Sequence, residues 1–192
     1  MNLALGSFVR VKVWWVFMCQ CVVVFMDLDG TLWDHYDIST LKTPFARISK
    51  LEFVDSSGVV VRVQRLALEV LEYAVKRGFI VSTLSWNDPV KAVEALRVLG
   101  LDRVFHYHAI ENHPNKALMA QRVLKVIEER GLCRDSVVVI YIDDRELHLE
   151  DMKRAFRNLF YVKAWESCRT INECVELIEQ YIQSSKTNYS NE

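Results

Sequence analysis

The sequence has no dominant charge. Lys and Arg number 24 and Asp and Glu 25 in 192 residues, so there is neither a basic field for nucleic acid nor an acidic tail. It also lacks an apolar run that could cross a bilayer. In "FVRVKVWWVFMCQCVVVFM" the unbroken piece, residues 13–19, falls short of the ~20 residues a span takes. No small-residue cleavage site follows it, which argues against a secretory leader. The alternation of Phe8, Arg10 and Lys12 with Val9, Val11 and Val13 predicts an extra strand in an N-terminal extension, residues 1–20. Met18 is an alternative start. Cysteine is sparse and odd in number: Cys19, Cys21, Cys133, Cys168 and Cys174. That count excludes a regular disulfide framework and predicts buried thiols in a reducing, cytoplasmic setting. The C-x-C of Cys19 and Cys21 has no second pair to complete a zinc site. Internal repeats and low-complexity segments are absent as well.

What remains is an ordinary globular composition, half apolar (51%) and a quarter charged (26%). Its length suits one domain, residues 21–183, followed by a disordered tail, residues 184–192. Residues 51–64, "LEFVDSSGVVVRVQ", read as a hairpin turning on Asp55-Ser56-Ser57-Gly58. Residues 66–77 have helical spacing and stop at Gly78, and "FIVSTLS" is a buried strand. Asp88-Pro89 opens a helix that stops at Gly100, with Asp as cap and Pro in the first turn. "VFHYHAI" is a strand, and Pro114-Asn115 begins a helix closed by Gly131. "VVVIYI" and "LFYVKA" are strands flanking a helix over residues 147–157. Thr170 and Glu173 form a capping box for a last helix, ending near Ile182.

Val/Ile-rich strands alternating with helices predict an α/β fold. It is a doubly wound, Rossmann-like parallel sheet of five strands with helices on both faces. Such folds bind ligands beyond the carboxyl ends of their strands.

Charge gathers at those ends. "CVVVFMDLDGTLWDH" runs a buried strand into Asp27 and Asp29, with Leu28 between them free to point back into the core and Gly30 next. On an extended segment, residues two apart leave on the same side. Glycine lets the backbone turn sharply. The second strand ends in Ser85, the fourth in Asp143-Asp144, and Lys116 starts the helix after the third. Several carboxylates at one rim repel each other unless a cation is present, and hard oxygen ligands suit Mg²⁺. Each residue also has a plain reading. Asp-Gly is a common turn; Ser85 or Asn87 can cap a helix; Lys116 can be a solvated helix residue; Asp143-Asp144 can cap the helix that follows. His106, His108 and His113 fit packing or phosphate contact better than zinc. Trp33, Trp86 and Trp165 are either core or the mouth of a site.

"DLDGTLW", "STLSWN", "HPNK" and "IDDRE", in that order, resemble the haloacid dehalogenase-like phosphohydrolase superfamily. Within it they are most similar to the capless, acid phosphatase-like magnesium-dependent phosphatase family. The resemblance covers residues 22–178 and implies a phosphoric monoester hydrolase using Mg²⁺. Asp27 resembles the nucleophile that forms an aspartyl-phosphate, and Asp29 the general acid/base. The latter role needs a proton held near neutral pH, which crowding by other carboxylates favours. Phosphate binding falls on Leu28, Ser85, Trp86, Asn87 and Lys116. Metal binding falls on Asp27, Asp29 (through its backbone carbonyl), Asp143 and Asp144. Strand alternation lets one of the last two face the metal directly, and Asp144 is the stronger candidate.

Many such proteins carry a lid domain. Here the segments that would hold it contain little more than the hairpin, so an open site is expected, taking phosphorylated small molecules or phosphoproteins. The resemblance implies phosphotyrosine-like or sugar-phosphate, including fructosamine-phosphate, substrates, with no nucleic acid or membrane partner. A receiver-like phosphoacceptor and a silent phosphate-binding module are the rival readings. Receivers, however, carry the phosphorylated Asp on the third strand, where this chain has His108-Ala109-Ile110.

Overall fold

The computed structural model describes residues 20–133 and 136–189, the side chains of 187–189 excepted. The strand expected within residues 1–20 falls almost wholly outside them. Five parallel strands form the central sheet: β1 (Cys21–Met26), β5 (Ile80–Trp86), β6 (Tyr107–Glu111), β7 (Val137–Asp143) and β8 (Leu159–Lys163). Their order is β6-β5-β1-β7-β8. β1 therefore lies in the middle, in register with β5 (Val23 opposite Ile80) and β7 (Cys21 opposite Val137). The order reverses on either side of β1, which is where a doubly wound sheet opens a crevice.

The alternation of β1 separates two cores. Val22, Val24 and Met26 face a layer of α1 (Arg65–Lys76), α2 (Pro89–Leu99) and α5 (Ile171–Tyr189). Val23 and Phe25 face α3 (Lys116–Glu129) and α4 (Leu149–Ala155). With both faces covered, the strands have no reason to alternate polar and apolar residues. Local signals place the helix ends. Asp88 Oδ1 caps α2 by accepting from the N–H groups of Val90 (2.8 Å) and Lys91 (3.2 Å), and Asn115 Oδ1 caps α3 through Leu118 N–H at 3.0 Å.

Between β1 and α1 lie a short 3-10 helix (Ile38–Thr40) and an antiparallel sheet of β2 (Ala46–Arg47), β3 (Glu52–Val54) and β4 (Val60–Arg62). The expected hairpin is β3–β4, and β2 adds a third strand. Phe53 and Val61 are wholly buried in the same core as β1, and the Trp33 ring meets Phe53 edge-on at 6.3 Å. The insertion is thus an extension of the main core and has none of its own.

Two expectations change. The last helix does not end near Ile182 but continues to Tyr189, into the stretch expected as a tail. Ser185 is buried there and its Oγ accepts from Gln20 Nε2 at 2.9 Å. The expectation of free thiols gives way too, since four of the five cysteines pair: Cys21 with Cys133 and Cys168 with Cys174. Cys21 starts β1 and Cys133 follows the turn after α3, so the fold joins positions 112 residues apart. Spacing along the chain cannot reveal such a pair. Among the described residues no helix is long and apolar enough to cross a membrane.

Candidate active site

β1 delivers Asp27 to the carboxyl edge of the sheet, where its N–H continues the ladder by donating to Ile142 O at 2.9 Å. The chain then turns back, because Leu28 O accepts from the N–H groups of Thr31, Leu32 and Trp33. The Leu28 side chain is wholly buried in the core, which leaves only its backbone for a phosphate. Gly30 makes the turn at φ 71°, a conformation that L side chains avoid.

From the neighbouring elements, β7 contributes Asp143, the residue after it is Asp144, and α3 begins with Lys116. The Lys116 ammonium is buried and bridges two carboxylates, at 2.8 Å from Asp27 Oδ1 and 2.6 Å from Asp143 Oδ2. Burial pulls its pKa down, but Asp27 and Asp143 more than offset this and the net movement is upward. Asp143 has both oxygens engaged. Oδ2 also accepts from the Tyr141 hydroxyl, and Oδ1 accepts from Arg145 N–H at 2.9 Å. Asp144 is steadied by Thr31, whose Oγ1 accepts from Asp144 N–H at 3.0 Å and donates to Asp144 Oδ1 at 3.4 Å. One oxygen from each of Asp27, Asp143 and Asp144 lies within 4.8 Å of the others.

This corrects two expectations. Asp143 and Asp144 both reach the group, because Asp144 lies past the end of β7, where strand alternation no longer applies. The Asp29 carboxylate, by contrast, is not one of the converging three. β1 has already ended, so the two-residue repeat no longer holds, and Asp29 turns to a different set of partners. Its Oδ1 accepts from Trp33 Nε1 at 2.7 Å and from Ile38 N–H at 3.4 Å, and its Oδ2 from Asn87 Nδ2 at 2.6 Å.

Asp27 and Asp29 are both shifted upward. Burial pushes Asp27 to about 6, opposed by Lys116 and assisted by Asp143. Burial likewise takes Asp29 to about 7, against the Trp33 hydrogen bond, with the Asp27 charge a smaller contribution. Desolvation thus does what carboxylate crowding was expected to do. Asp144 is also raised, by burial first and Asp143 second.

Two buried oxygens at the site have no hydrogen-bond partner, Asp27 Oδ2 and Ser85 Oγ. Such atoms are uncommon in a folded protein and call for an explanation. Three clustered carboxylates with hard oxygen donors and one unsatisfied oxygen fit a divalent cation. A neighbouring unsatisfied hydroxyl fits an anionic oxygen.

The remaining candidates sort cleanly. Asn87 is fixed between Asp29 and Asp88, whose N–H donates to Asn87 Oδ1 at 2.8 Å. Trp86 is 44% exposed at the end of β5. Trp33 is core, and Trp165 Nε1 donates to Thr31 O at 3.0 Å from behind. The histidines form no metal group: His106 Nδ1 accepts from Val81 N–H, His108 meets Asp102 O, and His113 meets Glu111. At the site expected to be open, the groups differ in exposure. Asp27, Ser85 and Lys116 are 1% exposed, while the Asp144 side chain, at 16%, reaches solvent. Sequence reasoning missed Thr31 and Tyr141. A phenol two positions before Asp143, on the same face of a buried strand, was the available signal.

No family model matches this chain, and no curated protein matches it. Solved structures that share the fold include the following two. One is an uncharacterized protein from Listeria monocytogenes serotype 4b, 16% identical, with a TM-score of 0.50 over 78% of this chain and 82% of that one. The other, from Clostridium difficile, carries the name "Putative Phosphatase"; it is 19% identical, with a TM-score of 0.53 over 82% of this chain and 90% of that one. At these identities the likeness establishes a shared architecture, a parallel α/β sheet with an acidic group at its carboxyl edge in this chain.

Proposed function

We propose that the chain is a Mg²⁺-dependent phosphomonoesterase of the haloacid dehalogenase type, working through an aspartyl-phosphate on Asp27. One observation carries this reading. The Asp27 carboxylate has Oδ1 held by Lys116, Oδ2 buried without a partner, and two further carboxylates beside it. The name of the Clostridium difficile neighbour agrees with it.

A carboxylate needs no base to become a nucleophile. One carboxylate oxygen of Asp27 forms the new bond to phosphorus while the ester P–O bond breaks, and the departing oxygen takes its proton from Asp29. With its pKa near 7, Asp29 holds a proton for that step and can surrender it near neutral pH. In the second step Asp29 takes a proton from water as that water cleaves the acyl phosphate, which releases phosphate and restores Asp27. Ser85 Oγ, the Trp86 N–H and the Lys116 ammonium hold the phosphoryl oxygens. Asp27, Asp144 and the Asp29 carbonyl would hold the metal, and Asp143, which lies in the same group but has both oxygens engaged, would hold Lys116. Bound Mg²⁺ supplies shielding that lets an anionic ester approach an anionic carboxylate. Phosphotyrosine-like and sugar-phosphate esters are the substrate classes to screen.

The test is hydrolysis of p-nitrophenyl phosphate with Mg²⁺, with EDTA, and with Asp27→Asn. Activity should vanish in the second and third cases; activity surviving both rejects the mechanism. Rapid turnover by Asp29→Asn rejects only the acid/base role. One equivalent of phosphate retained from acetyl phosphate, without turnover, identifies a phosphoacceptor instead.

A further inference from the structure

His148 is a buried titratable residue that the steps above do not use. It lies in the segment between β7 and α4, at the N-cap position of α4, and its side chain makes no capping hydrogen bond. It is 8% exposed, and among the described residues its ring nitrogens have no hydrogen-bond partner. Its ring instead meets Trp86 edge-on, with centroids 6.5 Å apart and planes at 75°.

The sheet order makes this contact informative. Trp86 is the last residue of β5 and His148 follows β7, and these strands lie on opposite sides of β1. To touch, the two rings must reach toward each other across the carboxyl end of β1, where Asp27 sits. Burial first and the Lys116 charge second move the His148 pKa downward, against Asp143. Trp86 leaves nearly half of its surface to solvent.

We propose that Trp86 and His148 form a two-residue wall over the site that selects the leaving group, favouring esters whose departing alcohol carries a ring. This rests on the phosphatase reading. Two rings set nearly perpendicular offer one aromatic face for stacking, and the imidazole nitrogens, which make no hydrogen bond within the described residues, are left to pair with a hydroxyl on the ring. The ring can be aromatic or that of a sugar.

The experiment measures kcat/KM for phenyl phosphate, a hexose 6-phosphate and acetyl phosphate, whose leaving group has no ring. Wild type is compared with Trp86→Ala, Trp86→Phe, His148→Ala and His148→Gln. The ratio of a ring ester to acetyl phosphate should fall roughly 3- to 10-fold in both alanine variants, the size of one aromatic contact. Trp86→Phe should restore most of it. Whichever ring ester shows the larger fall identifies the kind of ring. A purely structural role would lower all substrates alike and leave both ratios unchanged, in the glutamine variant as well; that result overturns the wall. A wild type that hydrolyses none of the three overturns the phosphatase reading, and the wall with it.

Discussion

A β-carbon on Gly30 would lie 2.5 Å from Asp144 Oδ2. The glycine is thus required twice, by its positive φ and by the carboxylate lying against it. Gly30→Ala should lose about 1–2 kcal/mol from the left-handed backbone alone. Because it also displaces Asp144, it should weaken divalent-cation binding by an order of magnitude or more. Urea denaturation checks the first effect and Mg²⁺ titration by calorimetry the second. A variant with normal metal affinity would mean that Asp144 does not bind the ion.

Lys116 should matter for folding as well as for turnover. Its ammonium is the only cation among the described residues paired with both Asp27 and Asp143. Lys116→Met keeps the bulk of the side chain and leaves two buried carboxylates facing each other. Breaking a buried pair in this way costs ~3–5 kcal/mol. Denaturation in EDTA should show that loss at neutral pH, and less of it at acid pH, where the carboxylates take up protons.

In metal-free protein, Asp29 should make stability fall as pH rises. Its carboxyl moves from an ordinary 3.8 to about 7 on folding. Below about pH 4 both folded and unfolded chains hold the proton, and between about pH 4 and 7 only the folded chain does. The contribution is therefore complete at low pH and lost through the folded pKa, up to about 4 kcal/mol in all. Asp27, at about 6, adds a slope of the same sign. Asp29→Asn should lower stability at acid pH, where its amide nitrogen faces a donor, Asn87 Nδ2 or Trp33 Nε1, and the deficit should shrink as pH rises and the wild type loses its own contribution. It should also remove one proton's worth of slope, which denaturation across this pH range would reveal.

Asn87→Ala gives a complementary shift. The amide that donates to Asp29 Oδ2 at 2.6 Å stabilises the ionised form. Its loss should raise the Asp29 pKa further. The limb of the pH–rate profile that reports Asp29 should then move to higher pH, with the opposite limb unmoved. A profile identical to wild type would separate Asn87 from acid/base control.

Much of this arrangement was readable before any coordinates. The strand-end positions of Asp27, Ser85 and Asp143 follow from apolar runs and glycine stops, and so does the helix start at Lys116. The turn at Gly30 was legible in the same way. What could not be read depends on contacts between distant segments. Thr31 and Asp144 meet across 113 residues, and Cys21 pairs with Cys133 across 112. The diversion of Asp29 toward Trp33 and Asn87 depends on where β1 ends, and a one-residue error there reverses which way a side chain points. The length of α5 was hidden because its last turns are polar, and tertiary contact at Ser185 overrides weak local preference.

The central place of β1 also bears on how the protein is made. Synthesis starts at the amino end, so the ribosome releases β1 and Asp27 first. That strand must wait for β5 on one side and for β7, later still, on the other. Lys116 emerges between them. A nascent chain stalled before β7 would therefore expose one edge of an apolar ribbon ending in acid, with Lys116 already made but its second partner, Asp143, still missing. Competence arrives late and all at once, when the last of the middle strands is threaded into place.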